Sequence, residues 1–213
     1  MKLKFSTAQT TALFYLGLAL MGFFSFLFAR ENLYIDGDSL KTASNLVEKE
    51  TLARWGIASE VALVGFQALA AVWFFKLFRK RDSFVAGLIA VFGMVNAVII
   101  LISSAMWFGA LNAALAGQPE ITQTLFDVHE NIWKMGNLFF GLWLIPMGAM
   151  VIKAEMPKAL GWFLIAGGIG YMLTTFILII LPEQTNFADL LVIPATIGEF
   201  WIIGYLLFKP VRE

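Results

Sequence analysis

The sequence contains no cysteine and only one histidine, His129. The absence of cysteine excludes disulfides, thiolate nucleophiles and thiolate metal ligands together. A single histidine excludes a multi-histidine metal site within one chain, and the sequence predicts no metal site. The chain also lacks an excess of either charge, because 15 basic residues balance 15 acidic ones. This balance argues against nucleic acid as a partner.

Charged residues of either sign are scarce. They make up 14% of the 213 residues, whereas hydrophobic residues make up 60%, and the mean hydropathy is +0.79. Soluble domains carry about 25% charged residues, so this composition is typical of a membrane protein. The 21 Phe and 7 Trp residues supply much surface that can face lipid. The first predicted partner is therefore the lipid bilayer.

Six apolar segments are present, and each is long enough to cross a bilayer as a helix. The predicted spans cover roughly residues 11–29, 55–75, 84–104, 132–152, 159–181 and 190–208. The first is too long for the apolar core of a signal peptide, so we interpret it as an uncleaved span. No linker interrupts the chain. We therefore predict an all-α fold, a polytopic membrane helix bundle with six transmembrane helices that forms a single domain over residues 1–213.

The basic residues favour one orientation of these spans. If the N-terminus, the second and fourth loops and the C-terminus are cytoplasmic, ten of the 15 Lys and Arg residues lie on that side. These ten are Lys2, Lys4, Lys76, Arg79, Lys80, Arg81, Lys153, Lys158, Lys209 and Arg212. The positive-inside rule then predicts that both termini are cytoplasmic.

The first outer loop contains more than a linker. After the turn signal at residues 36–38 (Asp-Gly-Asp), Leu40, Ala43, Leu46 and Val47 recur at helical spacing. This pattern predicts a short amphipathic helix. It lies either on the outer surface or as a lid packed over the bundle.

The third and fourth predicted helices continue beyond the membrane boundary. The helical pattern of the third runs through Trp107 towards Gly117, and Pro119 marks the first turn of the next helix. These two helices are expected to project outside as a hairpin. Trp55, Trp107 and Trp133 are expected to mark the outer membrane interface.

Glu199 is the most informative residue of the chain. It lies in the middle of the apolar run 190–208, where the only other ionisable side chain is that of Tyr205. A carboxylate at the centre of a span costs several kcal/mol unless it is protonated, paired or facing water. Glu199 therefore either holds helices in register, for example by bonding a backbone carbonyl or Asn96, or it has a function.

Five further polar residues belong to the second and fourth spans or their ends. Glu60 and Gln67 share a face of the second span, whereas His129, Lys134 and Asn137 follow helical rows on the fourth. Together with Glu199 they are the candidate residues for binding a ligand or a proton. We expect Glu60, His129, Lys134 and Glu199 to line one cavity that opens outward.

A structural interpretation of each residue stays open at this stage. Glu60 is near enough to the interface to pair with Arg54, and His129 fits a solvated position at the level of the lipid headgroups. Lys134 follows Glu130 by four residues, which is the spacing of an ordinary ion pair on a helix surface.

The sequence contains no phosphate-binding loop, no G-x-S-x-G and no H-E-x-x-H motif. Nearly the whole chain resembles the bacterial membrane family known as the domain-of-unknown-function 4386 family. The resemblance is carried by residues 37–60, by 127–129 with 139–142 and 157–161, and by 194–199. It implies a bacterial cytoplasmic membrane, and it draws attention to the positions of Glu60, His129 and Glu199. It implies no activity and no cofactor.

The leading functional hypothesis is binding or transport of a small ligand, a cation or a proton in an outward-facing polar cavity lined by Glu60, His129 and Glu199. One alternative is an intramembrane enzyme that uses these groups, with a metal held by the carboxylates and His129. Another is an accessory protein whose polar residues only lock helices together. The sequence identifies no catalytic residue.

Overall fold

A computed structural model of the chain describes residues 5–181 and 183–211. Lys2, Lys4 and Arg212, which contribute to the predicted orientation, lie outside these residues. Over the described ranges the chain forms seven α-helices and no strand. The helices are α1 (Thr7–Gly22), α2 (Ser39–Glu48), α3 (Glu50–Phe78), α4 (Ser83–Leu115), α5 (Pro119–Lys153), α6 (Lys158–Ile180) and α7 (Thr185–Phe208).

Six of the helical segments are long and apolar enough to cross a membrane. They are α1 with its continuation to Asn32, and α3 to α7. Many large apolar side chains on them are exposed, including Phe23, Phe84 and Phe200, as expected for surfaces that contact lipid. The predicted fold class is confirmed: the chain is a multi-pass membrane protein with six transmembrane helices and a short additional helix.

The first span changes its helical geometry near its end. After Gly22, residues Phe23–Ala29 form a π-helix, and Arg30–Asn32 form a 3₁₀ turn. The backbone N–H of Arg30 donates to the carbonyl of Ser25, five residues earlier. Such π segments are rare and occur often at functional sites. Here the segment leads directly to Arg30, which belongs to the candidate site described below.

The chain divides into two compact units. The hairpin unit comprises Gly17–Gly65 and Ala97–Lys134, and the terminal unit comprises Met1–Leu16, Phe66–Asn96 and Met135–Glu213. The single-domain organisation stays a prediction.

The core of the hairpin unit forms around Trp107 of α4. It includes the buried side chains of Leu33, Leu111 and Phe126, and Leu46 joins it from α2. Trp107 is 1% exposed, so it packs inside the unit. Its expected level at the membrane interface stays a prediction. Its ring packs with Phe126 at a centroid distance of 5.5 Å.

Helix α2 packs onto this core, as in the lid interpretation. Asp38 caps it by accepting a hydrogen bond from the Lys41 N–H at 2.9 Å, and Leu46 is fully buried. Leu40 and Val47, which belong to the expected apolar face, are instead exposed. The packing therefore buries only one edge of that face.

Glycines bring the last three helices of the terminal unit close together. A Cβ on Gly141 or Gly168 would overlap the other's carbonyl group across α5 and α6, and a Cβ on Gly167 would overlap the backbone of Ala195 on α7. Small residues at such crossings let membrane helices approach closely. Gly204, also on α7, has no atom within 4 Å of an added Cβ.

We expect Gly167→Ala to destabilise the protein by about 1–3 kcal/mol or more, because the added methyl group must separate α6 from α7. Gly204→Ala is the matched control and is expected to be neutral or slightly stabilising, since alanine is the better helix former. Thermal unfolding in detergent measures both. Equal melting temperatures for the two variants would contradict the close α6–α7 contact.

Candidate functional site

Glu60 of α3 is buried within the hairpin unit, with 1% of its surface exposed. One carboxyl oxygen, Oε1, accepts a hydrogen bond from the indole N–H of Trp133 on α5 at 2.5 Å. The other, Oε2, has no hydrogen-bond partner among the described residues. The expected pairing with Arg54 does not form, because Arg54 pairs with Glu50 at 2.6 Å. Glu60 is thus a buried carboxyl group with one unpaired oxygen, and Ser104 of α4 is a further polar side chain beside it.

His129 of α5 lies beside this carboxyl group. Its Nδ1 is 3.9 Å from Glu60 Oε1, and its ring lies 5.3 Å from the rings of both Trp107 and Phe126. The residue is 1% exposed. The expectation of a solvated histidine at the headgroup level is therefore wrong, because aromatic side chains enclose it.

Ser103 of α4 fixes the orientation of the imidazole. Its Oγ lies 2.7 Å from His129 Nδ1 and 3.1 Å from the His129 carbonyl oxygen, to which it donates. The Ser103 carbonyl oxygen lies 3.2 Å from the same Nδ1. If the hydroxyl donates to the carbonyl oxygen of His129, Nδ1–H donates to Ser103, and Nε2 carries the free lone pair. If Nδ1 instead accepts from the hydroxyl, Nε2 carries the hydrogen.

The other side of the ring faces Glu130. His129 Nε2 is 3.8 Å from Glu130 Oε1, and neither atom has a hydrogen-bond partner among the described residues. Glu130 Oε2 pairs with Arg30 Nη1 at 2.8 Å, and Arg30 Nη2 pairs with the exposed Glu31 at 2.8 Å. The Arg30 guanidinium also lies 3.8 Å from the centroid of the Phe26 ring. Glu130 is therefore neutralised by Arg30, and not only by Lys134 as the sequence suggested.

Tyr34 covers this cluster from the loop that precedes α2. Its ring stacks on Phe126 at 4.9 Å, and its hydroxyl donates to Asp127 Oδ1 at 2.7 Å. Burial, the hydrogen bond to Asp127 and the nearby Asp36 raise the pKa of Tyr34 well above its usual value, so the hydroxyl keeps its proton and its bond. Because Phe126 in turn contacts His129, this loop helps to keep water from the imidazole.

The charged groups of the cluster can be balanced by one proton that Glu60 and His129 share. Arg30 balances Glu130, but none of the ion pairs in the described part of the chain joins Lys or Arg to Glu60. An ionised Glu60 beside a neutral His129 would be an uncompensated buried charge, which is costly. One proton resolves this in two ways: as a neutral carboxylic acid beside a neutral imidazole, or as a carboxylate beside an imidazolium. In the ranges 5–181 and 183–211, no group of three His, Asp or Glu side chains is arranged to hold a metal ion.

The remaining predicted residues divide between the two units. Lys134 is exposed in the hairpin unit, whereas Gln67, Asn137 and Glu199 belong to the terminal unit. Gln67 is buried, and its Nε2 donates to the Gly93 carbonyl at 3.3 Å. Asn137 is half-buried. The single cavity lined by Glu60, His129, Lys134 and Glu199 stays a prediction.

Glu199 is paired with a residue that the sequence analysis did not single out. Its Oε1 accepts a hydrogen bond from the hydroxyl of Tyr15 on α1 at 2.5 Å, instead of bonding Asn96. Trp133, Ser103 and Arg30 were missed as members of the other cluster. Tyr15 is the only tyrosine in the first span, so its isolation in an apolar run was an available signal.

The fold and these buried groups define a multi-pass membrane protein that keeps ionisable side chains among its helices. The chain belongs to the family described as a domain of unknown function (DUF4386), whose model matches residues 10–209. The resemblance found in the sequence is thereby confirmed. No curated protein and no solved structure shows a significant match to the chain.

We expect Trp133→Phe to destabilise the protein by about 1–3 kcal/mol, because it removes a hydrogen bond to a buried carboxyl oxygen. Trp162→Phe serves as the control, since Trp162 is 62% exposed. Thermal unfolding in detergent reports both changes.

Trp133→Phe removes side-chain volume as well as the hydrogen bond. A double-mutant cycle with Glu60→Met separates these two effects. Trp133→Phe should cost less when Glu60 is already methionine. An equal cost in both backgrounds would show that the hydrogen bond contributes no stability.

Proposed function

We propose that the protein binds a proton at the Glu60–His129 pair, as part of a binding or transport role in the membrane. The observation that carries this proposal is the buried contact itself. A carboxyl group and an imidazole, each 1% exposed, lie 3.9 Å apart, and each retains one polar atom without a hydrogen-bond partner among the described residues. Side chains of this kind within membrane spans mark ion pathways and proton relays.

The position of His129 suits a relay. Its two ring nitrogens face different carboxyl groups, with Nδ1 towards Glu60 and Nε2 towards Glu130. Imidazole accepts a proton at one nitrogen and releases another from the opposite nitrogen. A proton that leaves Glu60 and arrives at Nδ1 is thus balanced by one that leaves Nε2 towards Glu130. The separations of 3.8 and 3.9 Å exceed hydrogen-bond length, so each transfer needs a small side-chain movement or one bridging water.

The remaining residues of the cluster support this role. Arg30 pairs with Glu130 and with the exposed Glu31, so the Glu130 end of the relay lies next to a residue that contacts solvent. Ser103 orients the imidazole through Nδ1. Trp133 holds Glu60 Oε1, the oxygen that lies 3.9 Å from His129 Nδ1, in position.

The orientation of the chain is part of the same proposal. With both termini cytoplasmic in a bacterial cytoplasmic membrane, as the basic residues favour, the loops that join α1 to α3 and α4 to α5 lie outside the cell. The end of the relay at Glu130 then faces the outside.

Because His129 is the only histidine, its imidazole gives a single resonance pair in protein labelled with ¹⁵N-histidine. We expect the ¹⁵N spectrum to change with pH as the pair takes up or releases its proton. Glu60→Gln should leave a smaller fraction of protonated imidazole at a given pH, because the partner that stabilises the positive charge is lost. The measurement is a titration of wild type and variant in detergent or nanodiscs.

Glu48→Gln is the matched control, because Glu48 is an exposed carboxylate of the same unit and bonds only Ser44 among the contacts described. It should leave the histidine titration unchanged. If Glu60→Gln behaves like Glu48→Gln, Glu60 and His129 do not share a proton. A spectrum of wild type that does not respond to pH would favour a purely structural cluster.

A further inference from the structure

We infer that Tyr15 and Glu199 form a second proton-binding site, located in the terminal unit and built from residues that the Glu60–His129 pair does not use. The ligand is a single proton that resides on the Glu199 carboxyl group. Tyr15 acts as a positioning residue, because its hydroxyl donates to the carboxyl group. This inference does not depend on the relay proposed for the hairpin unit.

The first support is the fixed geometry of Tyr15. The residue is 1% exposed, and its ring packs edge-on against Phe74 at 5.6 Å and against Trp143 at 5.1 Å. These contacts hold the phenol in one position, so that its hydroxyl reaches Glu199 Oε1 at 2.5 Å. A tyrosine hydroxyl buried in apolar surroundings is costly without a partner, and Glu199 supplies that partner.

The second support is the absence of a basic partner in the described part of the chain. The titratable groups that face Glu199 are Tyr15 from α1 and Tyr171 from α6. Neither carries a positive charge, and none of the ion pairs among residues 5–181 and 183–211 includes Glu199. Within a span an ionised carboxylate in this setting is expensive, and a proton removes that charge.

The third support concerns the identity of the ligand, which we infer to be a proton and not a metal cation. A hard cation such as Ca²⁺ takes six to eight oxygen ligands in proteins, and Mg²⁺ needs an octahedral set. The titratable side chains that face Glu199 are two phenols, and in the described part of the chain no group of three His, Asp or Glu side chains is placed to hold a metal ion. One carboxyl oxygen is enough to hold a proton.

The proton balance of the site is simple. On uptake, a carboxylate oxygen of Glu199 forms an O–H bond; on release, that bond breaks and the proton leaves with no change at Tyr15. The phenol keeps its own hydrogen in both states, since it donates to the carboxyl group in each.

The test is infrared spectroscopy of protein labelled with ¹³C-glutamate, reconstituted in nanodiscs and titrated between roughly pH 5 and pH 9. A protonated carboxyl group gives a C=O band that an ionised one lacks. We expect Glu199→Gln to remove one such band. Tyr15→Phe should retain that band but shift its frequency, because the hydrogen bond is lost while the acid remains. Glu155→Gln, which alters an exposed carboxylate of the same unit, should leave the band unchanged.

The result that overturns the inference is a spectrum in which Glu199→Gln removes no protonated-acid band at any pH where the protein is folded. A melting temperature that Na⁺ or K⁺ raises in wild type but not in Glu199→Gln would also overturn it, in favour of a metal cation. If Glu199→Gln does not fold, the shift in Tyr15→Phe decides the question alone. Glu60→Gln should leave this band in place, so failure of the site at Glu199 and failure of the site at Glu60 give different spectra.

Discussion

Hydrocarbon offers no hydrogen bonds, so every polar group inside a membrane span must find its partner within the protein. The hydrogen bond from Trp133 to Glu60 is the clearest consequence of this constraint. The carboxyl group has two oxygens, and the surrounding side chains satisfy only one of them. The oxygen that accepts from Trp133 is also the one that lies 3.9 Å from His129 Nδ1. In the proposed site, a proton shared between this carboxyl group and the imidazole compensates for the partners that the span does not supply.

The π-helical segment of the first span shows how the backbone contributes to this cluster. Each i→i+5 turn contains one residue more than an α-helical turn, so seven residues of π-helix change the face on which the following residue lies. Arg30 is that residue, and its side chain reaches Glu130 while lying over Phe26. A π segment is less favourable than a continuous α-helix. The π segment places Arg30 where it pairs with Glu130, and this partly buried ion pair is the structural benefit of the segment.

The architecture could be predicted from the sequence because apolar length alone decides it. Six segments long enough to span, a turn signal before α2 and Pro119 at the start of α5 gave the elements that the structure contains. The candidate site residues could also be found from the sequence, since an ionisable residue stands out in an apolar run. The partners could not be predicted in the same way. Spacing along a helix tells which residues share a face, but not which face of another helix meets it, so Glu60 was matched with the nearby Arg54 and not with Trp133.

The same limit explains the error at His129 and the unexpected burial of Trp107. Both follow helical patterns that are predicted to continue beyond the membrane boundary, where residues are usually exposed or interfacial. Here α2 and the loop containing Tyr34 pack against the core of the hairpin unit, in which Trp107 and Phe126 are buried and Phe126 contacts His129. Only half of the apolar face of α2 takes part, because Leu46 is buried while Leu40 is exposed. Hydrophobic periodicity identifies such a helix, but it does not show which edge finds a partner.

The two proposed proton sites differ in how they handle charge. In the Glu60–His129 pair, transfer of the proton converts two neutral groups into two opposite charges. At a separation of about 4 Å, such charges attract by about 4 kcal/mol in a medium of effective dielectric constant 20, which offsets part of their desolvation. Glu199 has no such partner, and its proton must enter or leave together with a full unit of charge. The hairpin unit is therefore suited to passing a proton between groups at constant net charge. The proposed site at Glu199 in the terminal unit instead changes its charge by one unit when the proton binds or leaves. This change alters how the carboxyl group interacts with the side chains around it.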